Sequence, residues 1–418
     1  MSTGSEAARR ARDPRLDFFR GLGMCIILIA HIPWNPWTNW IPARFGFSDA
    51  ADMFVFCSGM ASAIAFGAVF DRHGWWAGAR RIVHRLWQVY WAHVGVVLVV
   101  LAVAVGIDQR LGVDHYVREE LLLQPLLDAP GPRLLGLLTL RYVPNYFDIL
   151  PMYLVILAMT PAAMLLARRS PLLAIGASVA LWTGAQLGLL ELTADAATGR
   201  PWFFNPFAWQ MVFFTGFAFA RGWLPPPPRS GALMLAALVA VAASAPFSCQ
   251  REFACYAGFG AIPALGDAHD ALGPWISKTQ LGPLRYAHFL GTAYLAYLAV
   301  GEGGRRLSGV VAVALQRIGR QTLAVFLTGL VAAQVLGAAL DVAGRSAMTV
   351  LAANVAGQLI LFGAAFVVSA FKAPPGRART RDAPEAPPRL HPAGAPTRGA
   401  TLADATGAGR ERSLEPSA

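Results

Sequence analysis

Two ionisable side chains near the N-terminus, Arg20 and His31, lie eleven positions apart in an otherwise apolar stretch. An α-helix turns about 100° and rises about 1.5 Å per residue, so both would lie within about 20° of one helix face, about 16 Å apart. Asp17 lies three residues before Arg20 and shares that face. Ionisable groups inside a bilayer usually face the interior of a helix bundle, which makes a functional site the working hypothesis. The alternative places Asp17 and Arg20 at the lipid headgroups, with His31 bonded to a neighbouring helix.

The types of these side chains indicate what chemistry such a site would do. A neutral histidine, with an unperturbed pKa of about 6.5, is suited to remove a proton as a general base at neutral pH. An arginine offers a planar fork of donors that fits a phosphate or a carboxylate. A site that holds both residues therefore suits proton transfer beside a bound anion.

The composition excludes an ordinary soluble enzyme. Of the 418 residues, 56% are hydrophobic and 14% are charged, and apolar runs recur along the chain. The net charge of +11 is compatible with nucleic acid as a partner, but the arginines fall between apolar segments and in the C-terminal tail, not on a basic recognition helix. The composition therefore indicates an all-α polytopic integral membrane protein that binds no nucleic acid.

Apolar windows predict about ten transmembrane helices. They cover residues 18–36, 49–70, 82–106, 147–167, 171–190, 206–223, 231–248, 285–302, 322–340 and 347–371. Arginine is concentrated in the connections assigned to the cytoplasm, whereas the short connections on the other side carry Arg44, Arg200 and Arg345. This asymmetry predicts that both termini are cytoplasmic, with the first helix retained as a signal anchor.

The regions that flank the membrane domain differ from it in composition. Residues 1–15 are polar and bear arginine, and residues 372–418 are rich in Pro, Ala, Arg and Gly. We predict that both are disordered and that residues 16–371 form one membrane domain. Two predicted outside connections are long: residues 107–146 contain apolar stretches typical of interfacial or re-entrant helices, and residues 249–284 are typical of an ordered loop or lid.

The four cysteines show no metal-ligand spacing, and we predict no metal site. Cys25 and Cys57 lie in predicted helices and are interpreted as small buried apolar residues. Cys249 and Cys255 share a polar loop. They can pair as a disulfide if that loop is periplasmic, and two free thiols are the alternative.

Polar residues at the predicted periplasmic helix ends form the first of two clusters. Its members are Asp49, Asp52, Asp148, Asn205, Trp209, Gln210, Arg285 and His288, with Trp34, Trp37, Trp40, Tyr146, Trp202 and Phe204 nearby. Aromatic rings beside carboxylates and amides suit a sugar, whose ring stacks on a flat face while its hydroxyls need donors and acceptors. The alternative is an interfacial aromatic belt with aspartates that cap helix N-termini. The convergence of four helix ends favours a binding site.

Basic residues form the second cluster, on the predicted cytoplasmic side. Those at the start of the third predicted helix are Arg80, Arg81, His84 and Arg85. Those just before the ninth are Arg317 and Arg320. Together with Arg20, these guanidiniums suit a donor that bears phosphate or carboxylate groups. The alternative is the positive-inside rule combined with contacts to lipid phosphates.

Several motifs, in their order along the chain, resemble those of the OpgC family. The matching stretches are DFFRG from Asp17 to Gly21, HIP from His31 to Pro33, FGFSDAA from Phe45 to Ala51, FVF from Phe54 to Phe56, SG at Ser58 and Gly59, FDILP from Phe147 to Pro151 and FNPFAWQ from Phe204 to Gln210. The resemblance extends from about residue 13 to about residue 371. The OpgC family is a branch of the acyltransferase-3 membrane superfamily and is associated with succinylation of osmoregulated periplasmic glucans.

The resemblance implies a membrane O-acyltransferase of the bacterial inner membrane that holds no bound cofactor. It implies a cytoplasmic acyl-CoA donor, with succinyl-CoA as the candidate, and a periplasmic glucan or other saccharide as acceptor. The superfamily pattern of an arginine, ten residues and a histidine matches Arg20 and His31, which become the catalytic candidates. The candidate donor-binding residues are Arg80, Arg81, Arg85 and Arg320. The candidates for binding or orienting the acceptor are Asp49, Asp52, Asp148, Asn205, Trp209, Gln210 and Arg285.

One position departs from the resembled pattern. The family often has an acidic residue directly before the histidine, and here that position is Ala30. If that carboxylate normally orients the imidazole, Asp49, Asp52 or Asp148 are candidates for the same task here. The alternative is a weaker or altered activity.

Two other classes of membrane protein stay open as alternatives. In a transporter or flippase, His31 would be a proton relay and the periplasmic cluster a substrate gate, but the sequence shows no internal inverted repeat. A structural or sensory protein would leave the convergence of polar helix ends unexplained. Residue types and spacing identify neither the acyl group, the acceptor nor the oligomeric state, so acetyl stays open beside succinyl.

Overall fold

The computed structural model describes residues 13–248 and 262–372. The chain divides into two units, Met1–Lys372 and Ala373–Ala418, and every described residue belongs to the first unit. The predicted disorder of residues 373–418 and of most of the lead falls outside the described residues, as does the predicted Cys249–Cys255 disulfide, whereas Lys372, assigned to the tail, is helical. These three expectations stay predictions.

Helices account for most of the described residues, as expected for a polytopic membrane protein. In chain order they are α1 (Pro14–His31), α2 (Ala50–Ser62), α3 (Ala68–Leu111), α4 (Gln124–Asp128), α5 (Pro130–Leu138), α6 (Ile149–Arg169), α7 (Pro171–Gln186), α8 (Pro206–Arg221), α9 (Gly231–Ser244), α10 (Pro263–Ile276), α11 (Pro283–Val300), α12 (Val310–Arg320), α13 (Thr322–Ala343) and α14 (Ala347–Lys372). An antiparallel pair of short strands, β1 (Thr193–Asp195) and β2 (Arg200–Pro201), adds a small hairpin that the apolar pattern does not predict.

Five helical stretches in the described part of the chain are long and apolar enough to cross a membrane. They are Ala50–Leu111, Ile149–Arg169, Gly231–Ser248, Thr322–Ala343 and Ala347–Lys372. The first is a helical stretch of 62 residues that covers two predicted spans, 49–70 and 82–106. The helices therefore indicate a membrane protein, while the count of ten spans and the cytoplasmic termini stay predictions.

The long stretch from α2 into α3 changes its backbone conformation at two points. Ala63–Gly67 forms one π-helical turn between the two helices. Gly74 has φ 80° and ψ 174°, a backbone conformation that glycine adopts readily because it has no Cβ. The helix is therefore interrupted within the segment that the sequence assigns to a cytoplasmic connection.

Helix α1 begins at Pro14, so residues 14 and 15 belong to the helix and not to the predicted lead. The Asp13 side chain caps the helix by accepting a hydrogen bond from the Arg15 backbone N–H at 2.9 Å. Proline fits the first helical position because its missing N–H would have no partner there. The helix ends at His31, which places this histidine at the tip of α1.

Two glycines allow α1 and α12 to cross closely. A Cβ atom on Gly319 would lie 1.8 Å from the Asp17 carbonyl oxygen, and one on Gly21 would lie 1.9 Å from the Leu315 carbonyl oxygen. Both distances are shorter than any real Cβ contact, so a larger residue would force the helices apart. Helix α1 also lies against α2, α13 and α14. It is therefore enclosed by neighbours on several sides.

The long connection at residues 107–146 forms a π-helical turn at Tyr116–Glu120 followed by the short helices α4 and α5. Asp108, near the end of α3, accepts hydrogen bonds from the backbone N–H groups of Tyr116 at 3.2 Å and Val117 at 3.0 Å. Some apolar side chains of this connection are buried (Leu121, Leu123, Leu126 and Leu137), whereas others are exposed (Leu127, Leu134, Leu135 and Leu138). One side of the segment therefore packs against protein and the other faces the surroundings, and the prediction of interfacial or re-entrant helices stays a prediction.

Candidate active site

A cavity of about 600 Å³ lies where the end of α1 meets the starts of α2 and α6. This volume falls within the range of about 300–1,000 Å³ that is typical of small-molecule sites. The acidic and basic residues that line it are His31, Arg44, Asp49, Asp148, His269, Lys278 and Arg285. Four residues predicted from the sequence, His31, Asp49, Asp148 and Arg285, therefore meet at one cavity.

His31 presents its imidazole to this cavity from the tip of α1. The ring lies edge-on to Tyr146, with 5.0 Å between the centroids and 70° between the planes. Phe326 contacts the imidazole in a similar arrangement at 6.5 Å and 66°. No hydrogen bond between residues of the described chain involves the His31 ring. The imidazole is therefore held by aromatic contacts and is open to a molecule in the cavity.

Asp49 lines the cavity from the start of α2. It is the N-cap residue of that helix, and its carboxylate accepts a hydrogen bond from the Ala51 backbone N–H at 2.7 Å. The same carboxylate pairs with two cations: Lys278 Nζ at 2.7 Å and Arg285 Nη2 at 3.1 Å from Asp49 Oδ2. The Asp49 carboxylate therefore caps the helix N-terminus, and the two cations neutralise its negative charge.

Asp52 lies behind the cavity wall and pairs with Arg285. Arg285 donates from Nη2 to Asp52 Oδ2 at 2.5 Å and from Nε to Oδ1 at 3.2 Å. Asp52 also completes a capping box by accepting a hydrogen bond from the Asp49 backbone N–H at 2.9 Å. Arg285 further lies over the Trp209 ring at 5.7 Å. This buried pair therefore ties α11 to α2 and contributes to the cavity through Arg285.

Asp148 lines the cavity from the start of α6 and is 3% exposed. One of its carboxylate oxygens, Oδ1, is buried and has no hydrogen-bond partner in the described part of the chain. A buried acceptor without a partner is costly, so such groups usually meet a ligand or a water. Asp148 therefore brings an unsatisfied acceptor to the wall of the cavity.

Asn205 and Trp209 support the loop that carries Lys278, and neither lines the cavity. Trp209 donates from Nε1 to the Lys278 carbonyl oxygen at 2.8 Å. Asn205 donates from Nδ2 to Gln280 Oε1 at 2.8 Å, and its backbone N–H bonds to the Thr279 carbonyl oxygen at 3.1 Å. These contacts support the site from behind the cavity wall, and direct binding of the acceptor by either residue stays a prediction.

Gln210 also lies away from the cavity. It is fully buried, and it exchanges hydrogen bonds with Ser178 of α7: Ser178 Oγ donates to Gln210 Oε1 at 2.6 Å, and Gln210 Nε2 donates to the Ser178 carbonyl oxygen at 2.7 Å. The amide is fully used in joining α8 to α7. Gln210 therefore has a structural role between the two helices, and its binding of the acceptor stays a prediction.

The predicted orienting carboxylates do not hydrogen-bond to His31. Asp49 and Asp52 are held by Lys278 and Arg285, and Asp148 shares the cavity with His31 without a hydrogen bond between them in the described chain. The residue that faces the imidazole is Tyr146, whose hydroxyl donates to Glu120 Oε1 at 2.8 Å. This pair was not identified from the sequence as an orienting group.

The predicted donor-binding arginines lie on two separate helices. Arg80 and Arg81 are exposed on α3, and Arg85 donates to Gln88 one turn further along the same helix at 3.2 Å. Arg320, at the end of α12, pairs instead with Asp17 of α1, with Nε 3.3 Å from Oδ2. Arg20 precedes the cavity by eleven residues along α1 and does not line it. A donor site shared by these arginines stays a prediction.

Lys278 is a site residue that the sequence analysis missed. Its ammonium lies 5.6 Å from the ring centroids of Phe203 and Phe204, both of which line the cavity with it. The sequence does carry a signal, because Lys278 is one of just two lysines among 35 basic residues, the other being Lys372. Within the described residues, no group of three or more His, Cys, Asp or Glu side chains could hold a metal ion.

Comparison with known proteins identifies the family. A family model described as "OpgC protein" matches residues 12–373. Neither the curated proteins nor the solved structures yielded a match. Because the family model covers well over half of the 418 residues, the chain belongs to the OpgC family.

Proposed function

We propose that this protein is a membrane O-acyltransferase of the acyltransferase-3 superfamily. It moves an acyl group, with succinyl as the first candidate, from a cytoplasmic acyl-CoA donor to a hydroxyl of a periplasmic glucan or related saccharide. Membership of the OpgC family indicates a glucan-modifying transferase in general. The donor, the acyl group, the acceptor and the inner-membrane location are parts of the proposal.

The observation that carries this proposal is the position of His31. Its imidazole opens into a cavity of about 600 Å³ from the tip of α1, and an unpartnered carboxylate oxygen of Asp148 lies in the wall of the same cavity. A base and a hydroxyl acceptor in one cavity are what transfer to a sugar requires. The rings of Phe203 and Phe204 offer flat apolar faces for the sugar.

The reaction proceeds by attack of a sugar oxygen on the thioester carbonyl. His31 removes the proton of the sugar hydroxyl as the new C–O bond forms. The C–S bond then breaks, and the protonated imidazole returns a proton to the departing thiolate. The products are an ester on the sugar and a free thiol, and His31 is again neutral.

Positive charge in the cavity supports the transition state. The thioester carbonyl oxygen becomes negative during attack, and preorganised donors or cations stabilise such an oxygen strongly. Lys278 has one Nζ–H directed to Asp49, and an ammonium carries three donors. Lys278 can therefore donate a second N–H to the oxyanion while it stays paired with Asp49.

Helix α1 offers a route between donor and acceptor. Arg20 lies eleven residues before His31, about 16 Å along the helix axis. With Arg20 near the donor phosphates or carboxylate, a thioester on an extended arm would reach His31 without the whole donor crossing the membrane. Arg320 and the arginines of α3 would extend the basic surface at the donor entrance.

The test uses purified protein in vesicles with its predicted cytoplasmic face outward. Glucan is enclosed, acyl-CoA is added outside, and both enclosed glucan and external thiol are measured. We expect esterified glucan inside, with one thiol released outside per ester formed. Movement of glucan or acyl donor without ester formation would contradict the proposal and would support a transporter.

A further inference from the structure

We infer that Tyr146, anchored by Glu120, is the residue that positions the His31 imidazole for proton transfer. This inference rests on the proposed role of His31 as general base. It assigns a task to two residues that do not themselves exchange the proton. Both lie in the connection between α3 and α6, outside the predicted spans.

The need for a positioning residue follows from the surroundings of His31. A catalytic or ligating histidine is usually oriented by a hydrogen bond from its second ring nitrogen to a carboxylate or carbonyl. Among the described residues no such bond to His31 occurs, and the preceding position is Ala30. Within residues 13–248 and 262–372, packing is therefore what orients the imidazole.

Tyr146 provides that packing. Its ring is 5.0 Å from the imidazole centroid at an interplanar angle of 70°, within the range preferred by edge-to-face aromatic pairs. Phe326 contacts the imidazole from α13 at 6.5 Å. Two rings from different elements restrict rotation of the imidazole, and His31 lines the cavity.

The backbone of Tyr146 is held in place against its own preference. Its φ is 68°, in the left-handed region that is unfavourable for a residue with a side chain. Such conformations persist where the surroundings determine them, and they cluster at functional sites. The preceding residue supplies part of this restraint: Asn145 donates from Nδ2 to the Glu120 carbonyl oxygen at 2.8 Å and from its backbone N–H to the Leu121 carbonyl oxygen at 3.1 Å.

Glu120 fixes the other end of the tyrosine. Tyr146 donates its hydroxyl to Glu120 Oε1 at 2.8 Å. Glu120 ends the turn whose first N–H groups are bound by Asp108, so the carboxylate is tied to the end of α3. Burial and the Glu120 charge raise the pKa of Tyr146, which keeps its hydroxyl a donor at neutral pH. The tyrosine is thus anchored at its backbone and at its hydroxyl.

The experiment compares four variants in the acyl-transfer assay, with kcat and KM for the glucan measured separately. Tyr146→Ala removes the ring and should lower kcat by about 10²-fold, the cost of a small misplacement of a reacting group. Tyr146→Phe and Glu120→Ala keep the ring but remove its anchor, and each should lower kcat by about tenfold. Glu120→Gln retains an acceptor for the hydroxyl and should recover most of the loss.

Glu119 supplies the matched control, because it is the exposed neighbour of Glu120. Glu119→Ala should leave kcat and KM unchanged. If Tyr146→Ala fails to fold, Tyr146→Phe and Glu120→Ala decide the question, since they preserve most of the packing. An unchanged kcat in these two variants would overturn the inference.

Two further outcomes separate this inference from other roles. A rise in KM with unchanged kcat would make Tyr146 a stacking surface for the sugar and would overturn the positioning role. An active His31→Ala protein would overturn the proposed function itself. An inactive His31→Ala protein beside fully active Tyr146 variants would remove the inference alone.

Discussion

Arg285 of α11 and Asp52 of α2 form a bidentate ion pair, with Nη2 2.5 Å from Oδ2 and Nε 3.2 Å from Oδ1. Arg285 is 5% exposed and Asp52 is fully buried. The two residues are separated by 233 positions in the sequence. This pair therefore fixes the distance between two helices whose ends build the cavity.

Asp52→Asn should destabilise the protein strongly. Removal of one partner from a buried ion pair costs about 3–5 kcal/mol when the other charge is left uncompensated. Arg285 keeps its pair with Asp49 at 3.1 Å, so a loss near the lower end of this range is expected. The exposed pair between Arg221 and Asp71 is the matched control, since Asp71 is 53% exposed. Asp71→Asn should cost about 1 kcal/mol or less. Thermal unfolding in detergent measures both, and equal losses would contradict a special role for the buried pair.

Gly59→Ala should prevent normal folding. A Cβ at this position would lie 1.9 Å from the Phe213 carbonyl oxygen, and Gly216 meets the Phe56 carbonyl oxygen in the reciprocal way at 2.3 Å. These contacts set the crossing of α2 and α8. Gly95→Ala in α3 is the control, because no atom lies within 4 Å of its Cβ position.

The Gly95 variant should be unchanged or more stable by up to about 1 kcal/mol, since alanine favours a helix more than glycine does. Abundance in membranes and thermal unfolding provide the measurement. A Gly59→Ala protein as abundant and stable as wild type would show that α2 and α8 do not cross as described.

Lys278→Met should lower acyl transfer by about 10²-fold if the ammonium stabilises the oxyanion. The fold should persist, because Arg285 still pairs with Asp49 at 3.1 Å. Lys372→Met is the control. Lys372 lies at the end of α14, far along the sequence from Lys278, where it is exposed and bonds to Gln321. Equal activity of the two variants would contradict the role of Lys278.

Glu120 should make folding stability depend on pH in a defined direction. Burial raises the pKa of its carboxyl despite the hydrogen bond from Tyr146. A carboxyl with a raised pKa in the folded state binds its proton more tightly there than in the unfolded state. Its stabilising contribution is present at low pH and is lost as the pH rises through the raised pKa.

Glu120→Gln, which cannot ionise, should therefore unfold at a temperature equal to or above that of wild type at neutral pH. The difference should shrink as the pH falls below the raised pKa of Glu120. Thermal unfolding across this range checks the sign. The opposite sign would be an unfolding temperature of Glu120→Gln that falls below that of wild type at neutral pH but not at low pH. That result would contradict the prediction.

The sequence predicted those parts of the site that lie at helix ends. His31, Asp49, Asp148 and Arg285 occupy the tip of α1 and the first turns or caps of α2, α6 and α11. Apolar windows locate such ends, and the orientation rule places them on one side of a membrane. Their meeting at one cavity follows from this placement.

The sequence does not predict the tertiary contacts of Asn205, Trp209 and Gln210. Asn205 caps α8, and Trp209 and Gln210 lie in its first two turns, where a polar side chain can turn towards a cavity or towards a neighbouring segment. Asn205 bonds to Gln280, Trp209 to Lys278 and Gln210 to Ser178, which are 75, 69 and 32 positions away. Only tertiary packing decides between the two directions.

Glu120 and Lys278 were missed for a related reason. Both lie in connections, where neither apolar periodicity nor a helix end marks a residue. The role of Glu120 depends on its hydrogen bond from Tyr146, 26 positions later. The role of Lys278 depends on its ion pair with Asp49. The long connections therefore hold much of the chemistry that spacing alone does not reveal.

The most direct test of the account is the rate of acyl transfer by purified His31→Ala protein. Purified wild-type and variant proteins are given acyl-CoA and glucan, and the ester is counted by mass spectrometry after equal times. A general base contributes about 10²- to 10⁴-fold, so the variant should lose activity by that factor while its abundance and unfolding temperature stay those of wild type. A well-folded variant that esterifies glucan at the wild-type rate would contradict the catalytic assignment.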